Sequence, residues 1–248
     1  MRVFFLVPAR DGSRVESKVR ELESMGYPYV VVCGADVSLP GVVHRTPIGK
    51  WDAINFGSRL VPQDADIVAI NDVDTTIHDL GRALEMARRC DLVYCAVDTG
   101  GGPQASFYAF ADPIRARLNL FASGELMVIR KGTFEELLPI PPCMAEDSYL
   151  LFKAMELKRR VGFCRDAHVT TSRTKTAAEE VAYKERTTLG ILQALDHSRP
   201  PLAIRLFYRV LPLFAIPLTL LGTKGNAWAK GMLRAVRLHA ERSDRTRF

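Results

Sequence analysis

Disulfide chemistry has little material in this chain of 248 residues. Its five cysteines, Cys33, Cys90, Cys95, Cys143 and Cys164, are odd in number and form no Cys-x-x-Cys pair. That excludes a disulfide framework and a paired-thiolate zinc site, and points to buried free thiols in a reducing compartment. Long apolar runs are missing too. Leu206–Leu221 is mostly apolar, but its sixteen residues contain Arg209, Pro212 and Pro217, short of the roughly 20 that cross a bilayer. Val3–Val7 ends at Pro8, which is too short for a secretory leader and fits a buried strand. Gly49-Lys50 lacks the upstream glycine of a phosphate-binding P-loop. No internal repeat and no low-complexity tract occur.

Acidic residues are scarce in one region only. Residues 197–248 hold ten Lys/Arg and two acids, a net of +8, whereas the rest of the chain is at −2. The whole basic excess therefore sits in the tail. Proline and aliphatic residues interleave it, with no aromatic platform, so nucleic acid is not the expected partner. A basic tail on a near-neutral body suits an acidic surface instead.

Short apolar runs are what the chain does have: Val3–Val7, Tyr29–Cys33, Ile67–Ile70, Leu92–Val97 and Phe107–Phe110. Helical patterns separate several of them, at Ser13–Met25, Asp52–Leu60 and Asp79–Cys90. This alternation predicts an α/β fold with a mostly parallel sheet flanked by helices. Continuous apolar strands suit such a sheet, and functional residues should collect beyond the strand C-termini. Two more helices are expected at Ser148–Lys158 and Thr176–Leu195, and a loop at Gly100–Pro103. Arg199-Pro200-Pro201 marks a boundary, giving a domain at residues 1–196 and a helical tail at 197–248.

Four stretches carry chemistry. Ile67–Ile70 runs into Asn71-Asp72-Val73-Asp74. Carboxylates two apart on a strand face the same way and suit a divalent cation completed by phosphates, though a solvated turn has the same composition. Ala145-Glu146-Asp147 opens a helix, where acids serve as caps or, in a desolvated pocket, as a general base. Gly34-Ala35-Asp36 follows a strand, and Asp36 could accept from a ribose or base or simply close a turn. Lys50, beside a helix start, can meet a phosphate.

In this order the stretches resemble the inverting family 2 glycosyltransferases with the GT-A fold. The matching residues are Val7–Arg10, Val31–Asp36, Gly49-Lys50 with Ala53 and Asn55, Asp72-Val73-Asp74, Ser123–Lys131, Glu146-Asp147 and Arg186–Gly190. The resemblance spans roughly residues 1–195. It implies that Pro8, Arg10 and Asp36 line the nucleotide of a UDP- or GDP-sugar. It places Lys50 and Asp72 near ribose and diphosphate, and Asp74 on a bridging Mg²⁺ or Mn²⁺. Asp147 would deprotonate the acceptor, and Arg186 would stabilise leaving-group charge. The chain departs from the family at Pro8-Ala9-Arg10-Asp11, where an acid is usual. Tyr183 and Thr187 replace the Gln and Trp of the processive synthases, which implies transfer of a single sugar. His168 is a further candidate metal ligand, although its alternation with Ala167 and Val169 also suits a strand. Thr171-Ser172-Arg173 is another diphosphate candidate.

In the tail, Asn226–Glu241 is amphipathic, with Trp228, Ala229, Met232, Leu233, Val236 and Ala240 on one side. Lys230, Arg234 and Arg237 lie on the other. This describes a helix on anionic lipid, or one packed on the catalytic domain. The first reading implies a lipid-linked acceptor and a cytoplasmic protein peripheral to the inner face of the cell membrane. Two alternatives compete with the transferase: a sugar-phosphate nucleotidylyltransferase, for which Val7–Ser13 is poor in glycine, and a catalytically inactive membrane adaptor on the same fold.

Overall fold

The computed structural model describes residues 1–100, 105–172, 176–220 and 222–245. Residues 101–103 of the expected loop, and Arg173, lie outside the described residues.

Val3–Ala9 (β1), Tyr29–Cys33 (β2), Val42–His44 (β3) and Ile67–Asn71 (β4) are parallel. Thr75–His78 (β5), Leu92–Asp98 (β6), Leu126–Arg130 (β7) and Val161–Thr171 (β8) complete the sheet. The strand order is β3-β2-β1-β4-β7-β6-β8-β5. β7 runs antiparallel to both β4 and β6, β8 is parallel to β6, and β5 is antiparallel to β8. β3 and β5, neither of them among the expected apolar runs, are the sheet's short edges.

Every residue of β1 is buried because the sheet has a layer on each face. Phe4 and Leu6 face a core shared with Ile54 of Lys50–Ser58 (α2), Phe134 of Lys131–Leu137 (α5) and Leu150 of Glu146–Glu156 (α6). Val3, Phe5 and Val7 face the other way, onto Val15, Val19 and Leu22 of Val15–Met25 (α1) and Ala83 of Leu80–Met86 (α3). Each such fully buried side chain contributes about 1.5–3 kcal/mol of transfer free energy.

The expected strand at Phe107–Phe110 is instead part of a helix, Ala105–Leu118 (α4). Its four apolar residues are too few to choose a period. Ala111 and Arg115, one turn apart, supply the buried helical face, while Phe110 points to solvent.

Ala177–Asp196 (α7) starts with a capping box. The Thr176 hydroxyl accepts from the Glu179 N–H at 3.2 Å, and the Thr176 N–H donates to Glu179 Oε2 at 3.0 Å. The tail then forms Leu202–Val210 (α8), a 3₁₀ turn at Leu211–Phe214, Ala215–Leu218 (α9) and Gly222–Arg245 (α10).

The tail's last helix lies against α7. Ala229, Met232 and Ala235 are buried, Trp228 Nε1–H donates to Glu180 Oε2 at 2.6 Å, and the Lys184 ammonium sits 3.8 Å from the Trp228 ring centroid. A Cβ on Gly231 would come within 2.6 Å of the Val181 carbonyl oxygen. Most of the apolar face that suited a lipid surface is thus occupied by protein, and only Leu233 and Val236 of it remain exposed large hydrophobics. Among the described residues no helix is long and apolar enough to cross a membrane.

Candidate active site

A cleft of about 1040 Å³ opens beyond the C-terminal ends of β1 and β4. It brings together Pro8, Arg10, Lys50, Asp72, Asp74, Asp147 and Arg186, seven of the nine candidates, drawn from five separate stretches of chain. Thr171 and Ser172 also line it. Asp36 and His168 do not. Asp36 is exposed in the loop after β2. His168 pairs with His78 across β8 and β5, with the rings stacked at 4.8 Å, and faces a separate cavity of about 260 Å³. The strand alternation noted for His168 is what the fold uses.

Asp72-Val73-Asp74 forms a turn between β4 and β5, so the two acids are not consecutive outward positions of one strand. The turn is held by the Thr75 hydroxyl, which donates to the Asp72 carbonyl at 2.8 Å, and by the Asp72 N–H, which donates to the Glu125 carbonyl at 3.1 Å. Beneath it lies Lys18, only 1% exposed. Its ammonium donates to Asn71 Oδ1 at 2.7 Å, the Thr75 carbonyl at 2.6 Å and Glu21 Oε2 at 2.7 Å. Burial lowers the Lys18 pKa, opposed by Glu21, Asp72 and Asp74. Sequence reasoning missed this residue, because Lys18 sits in a charged helical stretch with no local mark of burial.

Lys50 opens α2 and crosses the cleft floor. Its Nζ lies 2.6 Å from Asp72 Oδ1 and 2.6 Å from Glu146 Oε1. Burial works against the ammonium, but Asp72, Glu146 and Asp147 outweigh it and raise its pKa. Glu146, also unassigned from the sequence, is the buried partner that fixes this bridge.

Asp147 stands beside it at the start of α6, where the Ser148 N–H donates to its Oδ1 at 2.6 Å. Its pKa is pushed up to about 6 by burial first and the Glu146 charge second, against Lys50 and the Ser148 N–H. Desolvation therefore outweighs the low value expected of an acid at a helix N-terminus. Cys143, also in the cleft, is pushed up to about 12, chiefly by burial, so it stays a thiol and offers no nucleophile at neutral pH.

Two glycines set the close approaches. A Cβ on Gly124 would lie 2.9 Å from Asp147 Cβ and 3.2 Å from Lys50 Nζ. A Cβ on Gly190 would lie 2.6 Å from the Ala145 nitrogen, so this position lets α7 press against the entry to α6. One turn earlier on α7, Arg186 reaches the cleft, its guanidinium 5.7 Å from the Tyr183 ring centroid. Asn55 braces the segment before α6: its Nδ2 donates to the Ile140 carbonyl and its Oδ1 accepts the Ile140 N–H, both at 2.8 Å.

The donor set bears on a metal. Among the described residues no three His, Cys, Asp or Glu side chains gather into a cage. Asp72 and Asp74 offer hard oxygen donors on the cleft wall, and Asp72 is already paired with Lys50. Such a pair fits Mg²⁺ or Mn²⁺ held by one or two carboxylates with substrate oxygens completing the shell.

No family model and no curated protein matches the chain. Solved structures do. A mannosyltransferase from Pyrobaculum calidifontis, in complex with GDP-Man and Mn²⁺, superposes with a TM-score of 0.68 at 19% identity, covering 100% of this chain and 81% of that one. Glucosyl-3-phosphoglycerate synthase from Mycobacterium tuberculosis, with Mg²⁺ and UDP, gives 0.55 at 14% identity over 78% of this chain and 79% of that one. GalNAc-T7, with UDP, GalNAc and Mn²⁺, gives 0.55 at 12% identity over 79% of this chain and 48% of its own. The chain therefore has the GT-A fold of these nucleotide-sugar-dependent glycosyltransferases.

Proposed function

We propose that the protein is a glycosyltransferase that moves one sugar from a UDP- or GDP-sugar to the hydroxyl or phosphate of a lipid-linked acceptor, with inversion. One observation carries the reading. A desolvated carboxyl, Asp147, shares one cleft with the Lys50–Asp72 pair, Asp74 and Arg186 on a GT-A fold. The mannosyltransferase and the synthase above were solved with GDP-Man and Mn²⁺ and with UDP and Mg²⁺, which supports a nucleotide donor and a divalent ion here.

In this reading Pro8 and Arg10 line the nucleotide, with Asp36 at its margin. Asp72 and Asp74 hold the ion, without His168. The bound ion supplies Lewis-acid charge at the diphosphate. Asp147 takes the acceptor proton as the acceptor oxygen attacks the anomeric carbon. The bond to the diphosphate breaks, and its electron pair leaves on the nucleoside diphosphate. Lys50 and Arg186 face the charge that develops there. Asp147 suits the task because a base near 6 is ionised at neutral pH yet still accepts a proton. The basic tail supports a lipid-linked acceptor and a peripheral site of action at the inner face of the cell membrane, with residues 1–196 as the catalytic domain.

The test is calorimetric binding of UDP, GDP and their sugars, with and without Mn²⁺, to the wild type and Asp74→Asn. Metal-dependent binding of one nucleotide, lost in the variant, is expected. Folded wild type that binds none of them contradicts the donor site.

A further inference from the structure

After α10 has packed on α7, one face of the tail is still bare. Leu202, Leu206, Val210, Leu213, Phe214 and Leu220 are all exposed, Leu206 by 52% and Leu220 by 86%. In α8 the spacing of 202, 206 and 210 is one helical stripe, and the 3₁₀ turn continues it. The opposite side of α8 is committed to the body. Tyr208 is buried, its hydroxyl accepts the Phe121 N–H at 2.6 Å, and its ring packs on Phe121 and Phe152. The stripe is therefore held rigidly outward.

Charge selects its partner. From His197 to Ala240 the chain has no Asp or Glu, and the stripe carries Arg205 and Arg209. A second copy of the same face would set arginine against arginine, which like-charge repulsion disfavours. An anionic bilayer offers acyl chains to the leucines and headgroup phosphates to the arginines.

We propose that the α8–α9 face, and not the amphipathic α10, is the surface by which this protein lies on an anionic membrane. The placement deepens the transferase reading. Tyr208, on the inner side of α8, bonds Phe121, three residues before Gly124 of the cleft, so the exposed face is carried by a helix tied to the segment that leads into the cleft.

Vesicle flotation of the full chain tests this without any assay of transfer. Wild type is expected to float with vesicles of phosphatidylcholine and phosphatidylglycerol in equal parts. It should bind pure phosphatidylcholine more weakly, and salt should release it. The pair Leu206→Glu and Leu213→Glu should cut the partition coefficient at least about tenfold. Arg205→Gln with Arg209→Gln should remove the preference for anionic vesicles. On α10, Leu233→Ser with Val236→Ser should leave the partition unchanged. Wild type that does not float overturns the proposal. So does loss of flotation confined to the α10 pair, or a wild-type dimer in sedimentation that the Leu206/Leu213 pair dissolves. Circular dichroism on the same proteins reports folding, and nucleotide calorimetry reports the donor site. Flotation intact in a wild type that binds no nucleotide would remove the transferase reading and leave the membrane face standing.

Discussion

Gly124 and Asp147 are packed so closely that a Cβ on the glycine would fall 2.9 Å from the Cβ of the aspartate. The same atom would lie 3.2 Å from Lys50 Nζ. The Asp147 carboxyl and the Lys50 ammonium thus share the space of one missing methyl group. Gly124→Ala should push both aside while leaving the two sheet cores intact. A fall in kcat of about 100-fold is expected, since small misplacements of reacting groups have that effect. Nucleotide binding should weaken less, and the two are separated by transfer kinetics and calorimetry on one preparation.

With Asp147 as the proposed base, the rate should depend on pH. Only the ionised carboxylate accepts a proton, so kcat/KM should rise as pH passes about 6 and level off above 7. Asp147→Asn should cost about 10²–10⁴-fold in rate. The stability effect has the opposite sense. A folded pKa of about 6, above the unfolded value of about 3.9, stabilises the native state at low pH, and this is lost as pH rises through 6. At pH 8 the asparagine variant should therefore be more stable by about 3 kcal/mol, and the gain should vanish near pH 4. Urea denaturation at the two pH values checks it.

Lys50 restrains the acids around it. Lys50→Met removes the cation from Asp72, Glu146 and Asp147 together. The Asp147 midpoint should then move above 6, visible as a shifted carboxyl resonance in ¹³C NMR. Nucleotide binding should fall at least about tenfold with the loss of one charge-assisted contact.

Lys18 acts from below the cleft. Lys18→Met leaves Asn71 Oδ1, the Thr75 carbonyl and Glu21 Oε2 without their shared donor. Destabilisation of about 3 kcal/mol is expected, as for a broken buried ion pair. Because Asn71 and Thr75 flank the Asp72–Asp74 turn, Mn²⁺-dependent nucleotide binding should weaken in protein that remains folded. Metal-independent binding should not change.

Much of the site was legible because its signals are local. An apolar strand ending in Asp72 and Asp74, or acids opening the helix at Glu146, can be read from a few adjacent residues. Lys18, Gly124 and the Lys50–Glu146 bridge could not be read, since their meaning comes from partners far along the chain. His168 was equally open, because only its cross-strand neighbour His78 places it away from the cleft. The fold's centre was clear from continuous apolar runs, while the short edge strands β3 and β5 carry too few residues for a period. An amphipathic α10 has one pattern whether it meets lipid or α7. Gly231 and the Trp228–Glu180 bond decide it, and both are tertiary facts.

The most direct test of the donor site uses the paramagnetism of Mn²⁺. In the presence of the nucleoside diphosphate that binds, Mn²⁺ should broaden the amide signals of Asp72, Val73, Asp74 and Gly124 beyond detection. Signals of α3 and α4, away from the cleft, should persist, and Asp74→Asn should restore those that were lost. Broadening centred instead on His78 and His168, or none at the Asp72–Asp74 turn, would contradict the account.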